Sequence, residues 1–305
     1  MIAQSQSVQS RGSAWHRRRA VEAWVLIAPV IVLFLIFFYG PVLFALYLSL
    51  CSWNGGVQPP EWVGLRNYQQ IAVDPIFLRS LGNTVQYSLM TVIPSLSIGL
   101  LLALALNIEA LKIMRFFRVV YFMPVITAPA IMAVVWRYLF QANNGLLNNV
   151  LMSMGLPPQL WILDVNQALP SIALTANWHR IGFVMVIFLA GLQSIPDVYY
   201  EAAKIDGAGS WDLFRHITWP LLTPTTLFLL ITSVIATFQV FDSVRVMTMG
   251  GPLNATNVIV YYIFQNAFEL FKMGYGSAIA LILFAIILIL TAIQFKVLGE
   301  RVHYQ

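Results

Sequence analysis

Long apolar segments constrain the fold of this chain more than any other feature. An α-helix needs about 20 mostly apolar residues to cross the hydrocarbon core of a bilayer. Because lipid offers no hydrogen-bond partners, each crossing backbone must satisfy its own groups, which a helix does. The sequence therefore predicts an all-α polytopic membrane protein with a permease domain at 23–298, built from six transmembrane helices at about 23–50, 83–106, 119–140, 170–192, 221–241 and 276–298.

Composition supports lipid as the main solvent. Hydrophobic residues make up 59% of the chain and charged residues only 10%, against roughly 25% charged residues in a soluble domain. The net charge of +5 fits the basic cytoplasmic side of a membrane protein. No polar segment combines a basic patch with aromatic residues, so we expect no nucleic-acid partner.

The distribution of basic residues predicts the orientation. Most of the 17 lysine and arginine residues lie in the N-terminal tail (1–22), the link after the second span, the segment 193–220 and the C-terminal part of the chain. Basic residues favour the cytoplasmic side. We therefore expect a bacterial cytoplasmic (inner) membrane protein with both tails, 1–22 and 299–305, in the cytoplasm. An N-terminal signal peptide is less consistent, because no small-residue cleavage site follows the first apolar run.

Two apolar segments contain features that interrupt a simple span. Pro124 and Pro129 lie in the third span, and they predict either a bent or unwound helix or a simple kink. The stretch 258–268 is too short for a span and contains Gln265 and Asn266. We expect it to be an interfacial or partly re-entrant helix.

The segment 193–220 is a charged island between two apolar spans. A short helix is expected to end near Ala203, with Gly207 and Gly209 breaking it. A second short helix is predicted from Trp211 to Ile217, with a stop at Pro220. Two small helices joined by a hinge form a shape that a partner can bind, although an ordinary cytoplasmic loop is the alternative.

This island resembles the signature loop of permease subunits in binding-protein-dependent ABC importers. The resemblance is carried by Glu201-Ala202-Ala203, Asp206-Gly207-Ala208, Phe214, Ile217 and Pro220. Flanking residues resemble the carbohydrate branch, which includes maltose-type and glycerol-phosphate-type permeases: Gln193, Pro196, Phe241, Asp242 and Gly250-Gly251-Pro252. Trp219 departs from the family, which often has Leu there. The resemblance implies a type I ABC importer permease fold.

The resemblance also implies a coupling role for this loop. The family inserts its first helix into a cleft on a separate ATPase subunit. Ala202 and Ala203 would let the helix sit deep in that cleft, and Glu201 would meet a polar or cationic group. Asp206 and Gly207 would form the turn, since glycine adopts backbone angles that other residues resist. Asp206 as the cap of the second helix is an alternative.

The remaining partners follow from the same resemblance. They are a second permease subunit in a heterodimer, an ATPase dimer, an extracytoplasmic solute-binding protein and a carbohydrate-like substrate. The chain contains no G-x-x-x-x-G-K-[ST] phosphate loop, so ATP and Mg²⁺ are expected on the partner ATPase and no cofactor in this chain. It has neither an H-E-x-x-H motif nor a Cys/His cluster, so no metal site is expected.

Polar residues within the fourth and fifth spans are the candidate substrate contacts. The resemblance places sugar contacts on these two spans. An arginine inside a span is costly unless it faces protein or water, so Arg180 is a functional candidate. The full set is Asn177, Arg180, Phe183, Ser233, Thr237 and Gln239. For the hydroxyl pair the alternative is helix packing, and for Arg180 it is snorkelling to the membrane surface.

We therefore expect a permease subunit that forms half of a translocation pathway and works by alternating access. The substrate class implied is a sugar, an oligosaccharide, a glycosylated polyol or glycerol phosphate. The chain is not expected to be an enzyme. A six-span secondary transporter or channel is one alternative, and an intramembrane enzyme is another, although no Ser/His/Asp set can be named.

Overall fold

A computed structural model describes residues 19–20, 22–107 and 112–299 of the chain. The predicted tails, 1–22 and 299–305, lie almost entirely outside these residues. Thirteen helices are labelled within the described part: α1 Glu22–Ser49, α2 Arg66–Val73, α3 Pro75–Leu106, α4 Lys112–Phe122, α5 Pro129–Leu139, α6 Leu146–Ser153, α7 Ala168–Gln193, α8 Asp197–Ile205, α9 Ser210–Leu213, α10 Thr223–Phe238, α11 Asp242–Met247, α12 Ile259–Phe264 and α13 Met273–Gly299.

Shorter elements complete the description. The π-helical turn Leu35–Tyr39 lies within α1, and Phe214–Thr218 and Gln265–Glu269 follow α9 and α12. Short 3₁₀ turns cover Met123–Ile126 and Trp161–Leu163. Strands β1 (Cys51–Ser52) and β2 (Glu61–Trp62) pair antiparallel after α1.

Five helical segments are long and apolar enough to cross a membrane, and a bent pair supplies the sixth. The five are α1, α3, α7, the segment Thr223–Met247 and α13, with mean hydropathies between 1.5 and 2.8. The bent pair combines Phe116–Ile126 with Pro129–Leu139 at an angle of 98°. This architecture confirms the predicted all-α polytopic fold.

Two predicted spans differ from the observed helices for identifiable reasons. Helix α3 begins at Pro75, not at residue 83, because Asp74 caps it: its carboxylate accepts hydrogen bonds from the backbone N–H groups of Ile76 and Phe77. The predicted span 119–140 is broken into α4 and α5, since Pro129 starts a new helix after a 3₁₀ turn. The interruption is therefore a break and not a simple kink.

Helices α3 and α7 form the centre of the bundle through close backbone approach. A Cβ atom added at Gly99 would lie 2.5 Å from Val184 Cγ1, and one at Gly182 would lie 2.0 Å from the backbone oxygen of Tyr121. Only glycine leaves room for this approach. The first contact joins α3 to α7, and the second brings the broken span against α7.

The loops opposite the 193–220 end are tied to the start of α3. Asp74 Oδ2 accepts hydrogen bonds from the hydroxyl groups of Tyr262 and Tyr275 at 2.5 and 2.6 Å. Thr84 Oγ1 accepts the N–H of Ile259 at 2.9 Å. Burial, together with the hydrogen bond to Asp74, raises the pKa of Tyr262 to about 12. The stretch 258–268 thus forms α12 and a π-turn, held against the spans by polar contacts.

Candidate functional site

Arg180 lies inside the bundle, about halfway along α7. Its Nη2 atom donates a hydrogen bond to Ser233 Oγ on α10 at 2.8 Å. Its Nε atom is buried and has no hydrogen-bond partner among the described residues. With a rise of about 1.5 Å per residue, position 180 is well removed from both helix ends. The guanidinium therefore faces the protein interior and does not snorkel to a membrane surface.

A cavity of about 220 Å³ opens beside Arg180. It lies between α3, α5, α7 and the segment joining α10 to α11. Its polar and charged lining comes from Tyr87, Thr91, Thr175, His179, Arg180, Thr237, Gln239, Asp242 and Ser243. A cavity of this size admits a small solute or one part of a larger one, since pockets for drug-sized ligands start near 300 Å³.

Four of the six predicted substrate contacts belong to this region. Arg180, Thr237 and Gln239 line the cavity. Ser233 does not line it but accepts the hydrogen bond from Arg180. Thr237 Oγ1 also lies 2.8 Å from Ser88 Oγ on α3. The hydroxyl pair on α10 therefore joins helices, and Thr237 lines the cavity as well.

Asn177 and Phe183 are not brought to the cavity. Asn177 Nδ2 donates to the backbone oxygens of Met90 and Ala173, each at 2.9 Å, and so ties α7 to α3. Phe183 packs against the apolar cluster that contains Val184. Neither side chain is among those that line the cavity, because helix geometry points them toward neighbouring helices.

Six polar lining residues were not among the contacts predicted from the sequence: Tyr87, Thr91, Thr175, His179, Asp242 and Ser243. His179 Nε2 lies 3.1 Å from the backbone oxygen of Thr127 at the break between α4 and α5. An ionisable residue within an apolar span indicates a functional site, so the sequence position of His179 could have identified it. Tyr87 and Thr91 gave no such signal, because polar aromatic and hydroxyl residues are common in membrane bundles.

The turn after α8 depends on Gly207. Its backbone φ is +85°, in the left-handed region that favours glycine. The N–H of Ala208 donates to the oxygen of Ala203 at 2.9 Å, and the N–H of Gly207 donates to that of Lys204 at 3.1 Å. These two bonds form a Schellman motif, which ends a helix and turns the chain.

The second helix of the loop begins without Asp206. Asp206 is the C-cap residue of α8, whereas Asp212 Oδ2 accepts the N–H of Gly209 at 3.2 Å at the start of α9. The alternative that Asp206 caps the second helix is therefore wrong. The helical turns that follow α9 continue through the π-turn Phe214–Thr218 and end at Leu221, one residue after Pro220.

Helix α8 presents an exposed apolar surface. Ile205 is 86% exposed and Val198 62% exposed, and Glu201 and Ala202 are exposed beside them. The hydroxyl of Tyr200 lies 3.0 Å from Thr218 Oγ1 and joins α8 to the second helix. Exposed apolar side chains on a braced helix are typical of a docking surface.

Spans that surround a polar cavity and connect to an exposed helical loop are typical of a membrane transport protein. The chain belongs to the family of binding-protein-dependent transport system inner membrane components, whose model matches residues 77–304. It is thus a membrane-embedded permease subunit of an ABC importer, as the signature loop predicted.

Individual relatives agree with this membership. The sn-glycerol-3-phosphate transport system permease protein UgpA of Agrobacterium fabrum is 37% identical over 284 residues, which cover 92% of this chain and 96% of that protein. The arabinooligosaccharides transport system permease protein AraP of Bacillus subtilis is 33% identical over 281 residues, covering 91% of this chain and 88% of AraP. In the solved structures, a chain of a bacterial ABC transporter involved in the import of the acidic polysaccharide alginate superimposes with a TM-score of 0.82 at 23% identity, covering 94% of this chain and 98% of that chain. This likeness confirms the predicted fold.

Proposed function

We propose that this chain forms half of the translocation pathway of an ATP-driven importer for a carbohydrate-like solute. The observation that carries the proposal is the side chain of Arg180, which is held inside the bundle and lines a polar cavity. Its buried Nε atom has no hydrogen-bond partner among the described residues. The relatives named for glycerol 3-phosphate and arabinooligosaccharides support a sugar, an oligosaccharide, a glycosylated polyol or glycerol phosphate as the substrate.

The cavity has the chemistry that a polyhydroxylated solute needs. A hydroxyl group both donates and accepts hydrogen bonds. Arg180 supplies donors, Asp242 supplies acceptors, and Gln239 supplies both. Tyr87 and Phe241 add aromatic rings to the lining. A second permease subunit would complete the pathway in a heterodimer and contribute its own contacts.

The exposed helix α8 is the proposed contact with the ATPase dimer. Ala202 and Glu201 lie on its exposed surface. A cleft on the ATPase would enclose these two residues. The Schellman turn at Gly207 and the Tyr200–Thr218 contact join the two loop helices. A displacement of α8 would therefore be transmitted to α10. ATP and Mg²⁺ would bind to the ATPase, and this chain would make and break no covalent bond.

The mechanism that follows is alternating access. An extracytoplasmic binding protein delivers the solute, and ATP binding draws the two ATPase subunits together on the cytoplasmic side. Helix α8 transmits that motion, and the break between α4 and α5 lets the wall of the cavity tilt. The proposed orientation places the 193–220 loop and both termini in the cytoplasm of a bacterial inner membrane.

A double substitution in the loop tests this function. Cells that carry the whole transport system are assayed for uptake of radiolabelled glycerol 3-phosphate, monosaccharides and oligosaccharides. The variant Glu201→Lys with Gly207→Pro should abolish ATP-dependent uptake while the chain still inserts in the membrane. Uptake at the normal rate by this variant would refute the coupling role and favour a secondary transporter.

A further inference from the structure

A second and larger cavity lies at the end of the bundle opposite the 193–220 loop. Its volume is about 650 Å³, within the range of pockets that bind small molecules. Three spans meet beside it, because α1 ends at Ser49, α3 begins at Pro75 and α13 begins at Met273. The charged residues of its lining are Arg66, Asp74 and Lys272.

Asp74 is the carboxylate of this cavity, and the protein itself occupies its acceptor sites. Its Oδ1 atom accepts the N–H groups of Ile76 and Phe77 at 2.9 and 3.3 Å. Its Oδ2 atom accepts the hydroxyl groups of Tyr262 and Tyr275. An ionised carboxylate has about four lone-pair sites. Asp74 therefore has no acceptor site left for a cation in the same cavity.

The two cations of the cavity are left without a partner. Neither Arg66 nor Lys272 forms an ion pair or a side-chain hydrogen bond with any residue that the structure describes. The cavity thus contains two positive charges and one carboxylate that is already satisfied. An anion that enters the cavity would complement this charge.

Backbone and side-chain hydrogen bonds fix the chain on which both cations stand. Asn67, next to Arg66, is buried and donates from Nδ2 to the backbone oxygen of Cys51 at 2.9 Å. The N–H of Lys272 donates to the backbone oxygen of Asn266 at 2.7 Å. The two walls of the cavity are therefore organised before a ligand binds, which lowers the entropic cost of binding.

An apolar surface continues from the cavity along α1. Trp53 lines the cavity, and its ring lies edge-on to that of Phe44 on α1, with 6.4 Å between the centroids. Phe44 is 52% exposed, and no residue of the most apolar 18-residue stretch of α1 is buried. Tryptophan is concentrated at the level of lipid headgroups. A ligand with an anionic head and apolar chains would therefore fit the cavity and the face of α1 together.

We propose that this second cavity binds a phosphate ester, with the phosphate group between Arg66 and Lys272. A guanidinium pairs with two phosphate oxygens at once, and an ammonium adds a point charge. The apolar face of α1 indicates a phospholipid headgroup as the source of the phosphate, and a soluble glycerol phosphate is the other source of the same chemistry. The site is separate from the cavity at Arg180, and the inference does not rest on the proposed function.

Native mass spectrometry of the full chain, purified in a mild detergent, tests the proposal. Three probes are added separately: phosphatidylglycerol, diacylglycerol with the same acyl chains, and glycerol 3-phosphate. Phosphatidylglycerol should remain bound to a larger fraction of the chain than diacylglycerol, which lacks the phosphate. Glycerol 3-phosphate bound in its place would support the phosphate site and refute the lipid source. Equal retention of the two lipids, without bound glycerol 3-phosphate, would overturn the proposal.

Charge substitutions make the test specific to this cavity. Arg66→Gln combined with Lys272→Gln should lower the fraction of chain that retains the phosphate-bearing probe about tenfold, because hydrogen bonds to charged groups are lost. Arg66→Lys keeps the charge and should retain more of the probe than Arg66→Gln does.

Arg79→Gln is the matched control, since Arg79 is exposed on α3 and does not line the cavity. It should retain the probe as the unmodified chain does. The thermal unfolding midpoints of all variants should match, because the substituted side chains are exposed. Equal retention by the double variant and by Arg79→Gln, at equal midpoints, would overturn the assigned site, even if glycerol 3-phosphate binds elsewhere in the chain.

Discussion

Arg180 donates a hydrogen bond from Nη2 to Ser233 Oγ across 2.8 Å, and this contact joins α7 to α10 beside the cavity. The bond fixes one side of the guanidinium. The buried Nε atom finds no partner among the described residues. A charge placed this way inside a span is costly, and a solute with oxygen acceptors would offset part of that cost.

Arg180→Gln should therefore weaken solute binding more than it weakens folding. A hydrogen bond to a charged group contributes about 1.5–3 kcal/mol, which corresponds to roughly a tenfold to hundredfold loss of apparent affinity. Uptake measured against solute concentration gives this number. Ser233→Ala is the matched control. It removes the hydroxyl that accepts the Arg180 hydrogen bond but keeps the charge of Arg180, so we expect a smaller loss of apparent affinity. Equal uptake by Arg180→Gln and the unmodified chain would remove Arg180 from the site.

Gly207→Ala should reduce coupling, whereas Gly209→Ala should not. Gly207 has a φ of +85°, where an alanine costs about 1 kcal/mol or more. Gly209 has a φ of −77°, which any residue adopts. The measurement is uptake together with the ATPase activity of the purified complex, at equal expression of both variants. Equal losses in the two variants would show that the left-handed turn is not what matters.

Gly182→Ala should destabilise the bundle, because its Cβ would lie 2.0 Å from the backbone oxygen of Tyr121. Overpacking of this kind costs about 1–3 kcal/mol. Gly82→Ala on α3 is the control, since its Cβ would meet nothing within 4 Å. Thermal unfolding in detergent should show a lower midpoint for the first variant and an equal or higher one for the second. A Gly182→Ala midpoint matching that of Gly82→Ala would contradict the close approach.

The contacts of Asp74 predict a pH-dependent contribution to stability. Burial acts to raise the pKa of Asp74, but hydrogen bonds from Tyr262, Tyr275 and two backbone N–H groups outweigh it and lower the pKa below its ordinary value. A carboxylate with a lowered pKa stabilises the folded state above its ordinary pKa of about 3.9. This contribution is lost as the pH falls through the lowered value.

Comparison with Asp74→Asn isolates this effect from other titrating groups. The unmodified chain should unfold at a higher temperature than the variant at pH 7, and the difference should shrink as the pH falls below about 4. Thermal unfolding of both chains across this range measures it. A difference that stays constant with pH would mean that the charge of Asp74 has no role in holding α12.

The sequence predicted the features that depend on local chemistry. Apolar length predicted the spans, and the glycines at 207 and 209 predicted the turn between two short helices. The start of α3 was readable as well, since Asp74 followed by Pro75 is a strong helix-start signal. Hydropathy alone does not locate this start, because it places the boundary of the span near residue 83.

Features that depend on packing were not predictable in this way. Asn177 and Phe183 had suitable chemistry, but their direction is set by which helix lies next to α7. Asp242 contributes to the family resemblance, but the sequence does not indicate that it lines a cavity, because the cavity forms only when the segment after α10 folds beside α3. The 98° break in the third span likewise needs tertiary contacts to fix its angle, although its prolines marked its place.

The most direct test of the account is to purify this chain from its native membrane in a mild detergent and identify its partners by mass spectrometry. The account predicts an ATPase subunit with a phosphate-binding loop and a second six-span permease. The ATPase subunit should be lost, and the second permease retained, when Glu201→Lys is combined with Gly207→Pro. Recovery of the chain alone, or only with copies of itself, would contradict an ATP-driven importer and favour a secondary transporter.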